Sequence, residues 1–145
     1  MVSSNQFESS QPPLGVGSII DGYVLTSLLG KGGMGAVYCG RRGGMEYALK
    51  VMVNPTELAA ARFEREALIL SRVSQHPNIV TVHNYSKIGH FPYMVSDKID
   101  GISLGQWLDG YEIEFERVLE IGAKVADALA HIHKHGILHR DLKPD

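Results

Sequence analysis

The chain has 145 residues, with 14 Lys+Arg against 16 Asp+Glu and a formal charge of −2. That length suits one ordinary domain with a sizeable core, and a near-neutral balance without a basic stripe argues against a general nucleic-acid or membrane-surface binder. No apolar run approaches the ~20 residues of a membrane span, and the start, "MVSSNQFESSQPP", has neither the apolar segment nor the basic flank of a secretory signal.

Residues 1–17 are rich in Ser, Gln, Asn, Gly and Pro and read as a flexible arm. From Tyr23 the pattern turns strand-like: "YVLTSLLG", "AVYCGRR" and "MEYALKVMV", the last two joined by a tight Gly43-Gly44 hairpin. "NPTELAAARFEREALILSRVSQ" reads as a helix, with Asn54 as N-cap, Pro55 at the first helical position and Glu57 in a capping box. Two more strands follow, "NIVTVHNYS" and "FPYMVSDK", around a turn near Gly89. A short helix over "SLGQWLDG" and a long one from about Phe115 to His135, closed by Gly136, complete the order. Short connections between successive strands predict an α+β fold: a five-stranded antiparallel sheet carrying one helix, then a separate helical part. Cys39 has no second cysteine to pair with, so it reads as a small buried thiol in a reducing, cytoplasmic setting.

Gly30, Gly32 and Gly35 stand in G-x-G-x-x-G spacing. In a dinucleotide-binding fold such a loop opens a helix, but here it opens the strand "AVYCGRR". A P-loop needs Gly-Lys-Ser/Thr, and this chain has Gly-Lys-Gly at 30–32. What remains is a glycine-rich hairpin whose bare backbone N–H groups can approach phosphate oxygens. Lys50, flanked by apolar residues in "YALKVMV", has a desolvation problem on a strand. On the helix, Ala59, Phe63, Glu66, Leu70 and Val73 share one face, and Glu66 is the single charge in it. The two charges are expected to pair; the alternative is a surface pair between Glu66 and Arg62 at i, i+4.

In order, "GKGGMGAV", "YALK", Glu66 and "HRDLKPD" resemble the eukaryotic-type protein kinases, most closely the bacterial (Hanks-type) serine/threonine enzymes. The resemblance covers about residues 20–145 and implies an N-lobe over 18–97, a hinge over 98–101 and the start of a helical C-lobe over 102–145. It implies that Gly30, Gly32 and Gly35, with Lys31 and Gly33, cover the ATP phosphates. Lys50 contacts the α- and β-phosphates and Glu66 holds Lys50. Leu29, Val37 and Ala48 roof the adenine slot, the backbone of Asp97 and Ile99 bonds the adenine edge, and Ser96 is a small gatekeeper. Ser103 falls at the ribose contact. Asp141 is the catalytic base, Lys143 steadies the transferring phosphoryl group, and Arg140 suggests control by a phosphorylated loop. His139 is expected to pack inside the catalytic loop.

The resemblance also places an Asn and an Asp-Phe-Gly after Asp145, and neither "DFG" nor "APE" occurs in the 145 residues. The expectation is a parent enzyme that uses ATP with Mg2+ on protein Ser/Thr hydroxyls, and a piece of it, truncated within the catalytic loop, that binds metal weakly or not at all and is inactive. A pseudokinase or nucleotide-binding scaffold is the competing reading; Lys50, Glu66 and Asp141 together argue against it. Small-molecule phosphotransfer is disfavoured by "HRDLKPD". A cytoplasmic location is expected, and a membrane anchor further along the parent is compatible with it. The helix 115–135 carries Val118, Ile121, Val125, Leu129 and Ile132 on one side, so self-association through it is expected. His131, His133 and His135 lie near the helix end, where the dipole explains them better than a metal does, and no metal site is assigned. Trp107 reads as a packing anchor, Met34 as an exposed loop tip, and His76 as a turn residue.

Overall fold

The structure is a computed structural model that describes residues 14–33, 35–53, 55–112 and 114–144. Six strands form one antiparallel sheet: β1 (Ile19–Ile20), β2 (Tyr23–Gly32), β3 (Gly35–Arg42), β4 (Met45–Met52), β5 (Val82–Ile88) and β6 (Phe91–Asp97), in the order β1-β2-β3-β4-β6-β5. Helix α1 (Glu57–Val73) lies between β4 and β5, and α2 (Leu104–Gly110) and α3 (Phe115–Lys134) follow the sheet. Five strands match the expected ones. The sixth, β1, is a two-residue ladder that pairs Ile19 with Val24 and Ile20 with Tyr23.

This short strand corrects the proposed extent of the arm. Gly17 donates its N–H to the Leu25 carbonyl at 2.7 Å, Leu25 returns one to Ser18 at 2.9 Å, and the Tyr38 hydroxyl donates to the Leu14 carbonyl at 3.1 Å. Residues 14–17 are therefore tied to the sheet, by one backbone bond and one from a tyrosine hydroxyl, of which their composition gave no sign. The rest of the arm, residues 1–13, lies outside the described residues, as does Met34.

The two faces of the sheet differ. Ile20, Tyr23, Leu25, Leu49, Val51, Phe91, Tyr93 and Val95 form one buried cluster, on the side away from α1. Its largest member, Tyr93, donates its hydroxyl to Asp21 in the β1–β2 turn, and burial followed by that bond pushes the phenol up to about 12. On the other face Met52 and Met94 meet Phe63 and Ala67 of α1. The strand alternation assigns the rest: Lys50 and Ala48 lie on the α1 side, because Met52 does and side chains alternate with period 2.

Helix α1 begins two residues later than its capping pattern suggested. Thr56 is the N-cap, its hydroxyl accepting from the Ala59 N–H at 3.2 Å, and Pro55 precedes the helix. Asn54 lies outside the described residues. Both Asn and Thr can cap, and the local sequence alone does not say which side chain reaches an orphan N–H. In α2 the cap is reciprocal: Ser103 accepts from Gln106 N–H while the Gln106 side chain accepts from Ser103 N–H. The β3–β4 hairpin turns on Gly43 and Gly44, at φ 59° and 83°, the left-handed pair that a type I′ turn requires.

Candidate active site

Register in the sheet brings the sequence-predicted residues together. Gly30 faces Val37, Val37 faces Lys50, Cys39 faces Ala48, and Ala48 faces Ser96 across β2, β3, β4 and β6. Directly opposed residues share a face, so Gly30, Val37, Ala48, Lys50 and Ser96 lie on the α1 side. A cavity of about 600 Å3 opens there, lined by Gly32, Gly33, Gly35, Val37, Lys50 and Glu66 among others. A Cβ on Gly35 would overlap the Val51 carbonyl oxygen, so only glycine lets β3 start this close to β4. At Gly30, Gly32 and Gly33 an added Cβ would meet open space, which is the room a ligand backed by bare peptide groups needs.

Lys50 Nζ donates to Glu66 Oε1 at 3.0 Å. The cross-element pair therefore forms, in place of the alternative with Arg62. Its setting differs from the expected one, because the Lys50 and Glu66 side chains are 43% and 48% exposed. The pair sits at the cavity mouth, and Phe63, Ala67 and Val73 are the buried residues of α1. Phe63 is a partner that sequence reasoning missed: Lys50 Nζ lies 5.4 Å from its ring centroid. Phe63 and Glu66 are i, i+3 on the helix, which was the available signal. Thr56 and Arg62 also line the cavity, and among the described residues Arg62 makes no ion pair.

The hinge-side residues are held separately. Asp97 donates its N–H to the Thr81 carbonyl at 3.0 Å, and its carboxylate meets His83 Nε2 at 2.6 Å. His83, followed by Thr81, holds the Asp97 carboxyl below its ordinary value against the opposing effect of burial. Ser96 donates its hydroxyl to the Asp97 carbonyl at 3.4 Å. Leu29 and Ile99 are exposed, as are Gly30 and Lys31. Ser103 uses its hydroxyl oxygen as the α2 cap.

Past α3 the chain runs without regular structure to Pro144, whose carbonyl accepts from Gly105 N–H at 2.8 Å and so joins this segment to α2. Arg140 has φ 62°, a left-handed conformation uncommon outside glycine, immediately before Asp141. Asp141 and Lys143 stand 3.8 Å apart with side chains 80% and 54% exposed. Neither lines the cavity of Lys50. His139 is exposed as well, which differs from the expectation of a packed ring. Asp145 lies outside the described residues. Among the described residues no group of three or more His, Cys, Asp or Glu could hold a metal ion.

A glycine hairpin over a lysine paired to a helical glutamate is thus in place, upstream of "HRDLKP". The family pattern described as protein kinase domain matches residues 23–145. The chain belongs to the protein kinase family. It is 35% identical over 131 residues to a probable serine/threonine-protein kinase, PknB, of Lactococcus lactis, covering 86% of this chain and 21% of that protein. Similarity to the serine/threonine-protein kinase Pkn1 of Myxococcus xanthus is 35% over 141 residues, 94% of this chain and 20% of the relative. Among solved structures, the PknI kinase domain of Mycobacterium tuberculosis superposes with a TM-score of 0.73 at 32% identity, covering 90% of this chain and 55% of that one. The chain thus spans about a fifth of the length of these curated relatives and corresponds to the N-terminal part of a kinase domain.

Proposed function

We propose that the chain is the ATP-binding half of a serine/threonine protein kinase that transfers the γ-phosphoryl group of ATP to a protein Ser or Thr hydroxyl. The observation that carries this reading is the Lys50–Glu66 contact at 3.0 Å in the wall of a glycine-lined cavity. Lys50 and Arg62 against Glu66 leave that cavity with an excess of positive charge, which suits a polyphosphate. Gly30, Lys31, Gly32, Gly33 and Gly35 cover the phosphates, Lys50 engages them, and Glu66 and Phe63 hold the ammonium in place. Leu29, Val37 and Ala48 enclose the adenine. The Asp97 carbonyl and the Ile99 N–H meet its edge, with Ser96 behind it and Ser103 toward the ribose. The Asp97 N–H is bonded to Thr81, and its carbonyl, which accepts from Ser96 at 3.4 Å, keeps a second lone pair for the ligand.

In the transfer, the Asp141 carboxylate accepts the proton of the substrate hydroxyl as that oxygen attacks the γ-phosphorus. The bond to the β–γ bridging oxygen breaks, ADP departs, and Lys143 offsets charge on the moving group. Residues 18–97, 98–101 and 102–145 take the parts of N-lobe, hinge and first C-lobe segment. Mg2+ is the family's usual companion of ATP, but the described residues supply no ligand set for it. No step is derived through it. The 145 residues contain no Asp-Phe-Gly, so they bind nucleotide without turning it over. No described helix is long and apolar enough to cross a membrane.

Two measurements test this. Displacement of a fluorescent ADP analogue from the 145-residue chain should show binding that Lys50→Met weakens at least tenfold; equal affinity in both overturns the nucleotide cradle. Autophosphorylation with Mg-ATP should occur in the full-length kinase and be absent from the 145 residues alone.

A further inference from the structure

The proposed site leaves one titratable cluster unused. His76, in the loop between α1 and β5, stacks on His131 of α3 with ring centroids 4.8 Å apart, and His131 stacks on His135 at 4.7 Å. Of the three rings, His131 is the one whose surroundings suit its neutral form. His76 Nδ1 accepts from the Asn78 N–H at 3.2 Å, so its proton sits on Nε2, which donates to Asp127 Oδ2 at 3.1 Å. His135 Nδ1 donates to the His131 carbonyl at 2.9 Å. His131 Nε2 is shut off from solvent and has no hydrogen-bond partner. A proton added there would place a cation between two imidazoles, with no acceptor for its N–H.

The position matters because α3 has little else to hold it. Ile132 is its one buried residue among those described, while Phe115, Val118 and Leu119 are exposed. The imidazole stack is therefore a large part of the joint between the loop 74–79, which follows α1, and the helix that leads into the Asp141 segment.

We propose that His76, His131 and His135 form an acid-sensitive latch between the α1–β5 loop and α3, closed while His131 is neutral and opened by a proton on it. The charged groups facing His131 support this. Burial first, then His135, His76 and Lys134, hold its pKa below the ordinary 6.5, and a hydrogen bond with the Val73 backbone acts in the opposite direction. The acid in the cluster, Asp127, is occupied by His76. The sign follows from this. Well above 6.5 the ring is neutral whether the latch is open or closed, and pH has no effect. As pH falls below that value the open form takes up the proton more readily, so acid drives opening. The carboxylates with lowered pKa, Glu46, Asp97 and Glu120, start from ordinary values of 4.5, 3.8 and 4.5 and titrate below this range.

The test does not depend on nucleotide binding. Amide exchange of residues 74–79 and 128–135 is followed in the full chain from about pH 7.5 to about pH 5.5, corrected for the intrinsic rate. Protection should fall in the wild type, by at most about tenfold, the limit for one proton taken up by an open form with the ordinary value of 6.5. His131→Phe keeps an aromatic ring in the stack and removes the proton site, so its protection should stay level. An equal fall in both proteins, or none in the wild type, overturns the latch. Should His131→Phe fail to fold, the ring-proton NMR titration of wild-type His131 decides: a midpoint below 6.5 upholds the proposal and one at or above it overturns it.

Discussion

Lys50 is held from two sides, by the Glu66 carboxylate at 3.0 Å and by the Phe63 ring at 5.4 Å. Because both charges are nearly half exposed, the pair contributes little to stability, on the order of 0–1 kcal/mol. Its value is positional. Glu66→Gln should therefore leave the urea midpoint almost unchanged while lowering phosphoryl transfer by the full-length kinase at least ~10-fold, because an unpaired ammonium is no longer aimed. Gly35→Ala should do the reverse and destabilise by roughly 1–3 kcal/mol in urea unfolding, since its Cβ would overlap the Val51 carbonyl. For Asp97 the sign is that of a lowered carboxyl: its pairing with His83 stabilises above the ordinary value of 3.8 and is lost as pH falls through the lower folded value. The stability difference between wild type and Asp97→Asn should accordingly shrink when urea unfolding is repeated in stronger acid.

Among the elements, α1 does the most to build the site. Its N-terminus is fixed by one side-chain cap, and its buried face by Phe63, Ala67 and Val73. Thr56→Ala should cost about 1 kcal/mol, measured by urea unfolding, by leaving the Ala59 N–H without its acceptor. The strands were legible because glycine and alternation mark them: Gly43-Gly44 and Gly89 all have positive φ, and each sits between two runs of strand formers. The cap was legible in kind but not in position, since several neighbouring residues can serve. Strand β1 was not legible at all, because a two-residue ladder has no periodicity and is held by partners in β2.

At the scale of the molecule, the sheet carries two buried clusters and α3 carries almost none of its own burial. Phe115, Val118 and Leu119 are 70%, 48% and 56% exposed, a patch that water disfavours. We propose a second copy of the chain as its occupant when the 145 residues are studied alone. Sedimentation should then show dimers whose share grows with concentration, and Val118→Glu with Leu119→Glu should return the chain to monomer. A monomer at every concentration would remove the proposal.

The sequence alone determined the succession of the five longer strands and the helices along the chain, and the residue types of the site. Glycine spacing, a lone lysine in an apolar strand and a lone glutamate on a helix face are local signals, written in consecutive residues. Only the tertiary structure decided which of those charges meet, how open their meeting place is, that Phe63 backs the lysine, and that His76 reaches across to α3. The physical reason is that pairing and burial depend on distances between elements. Those are set by sheet register and by helix packing, which short-range pattern does not encode.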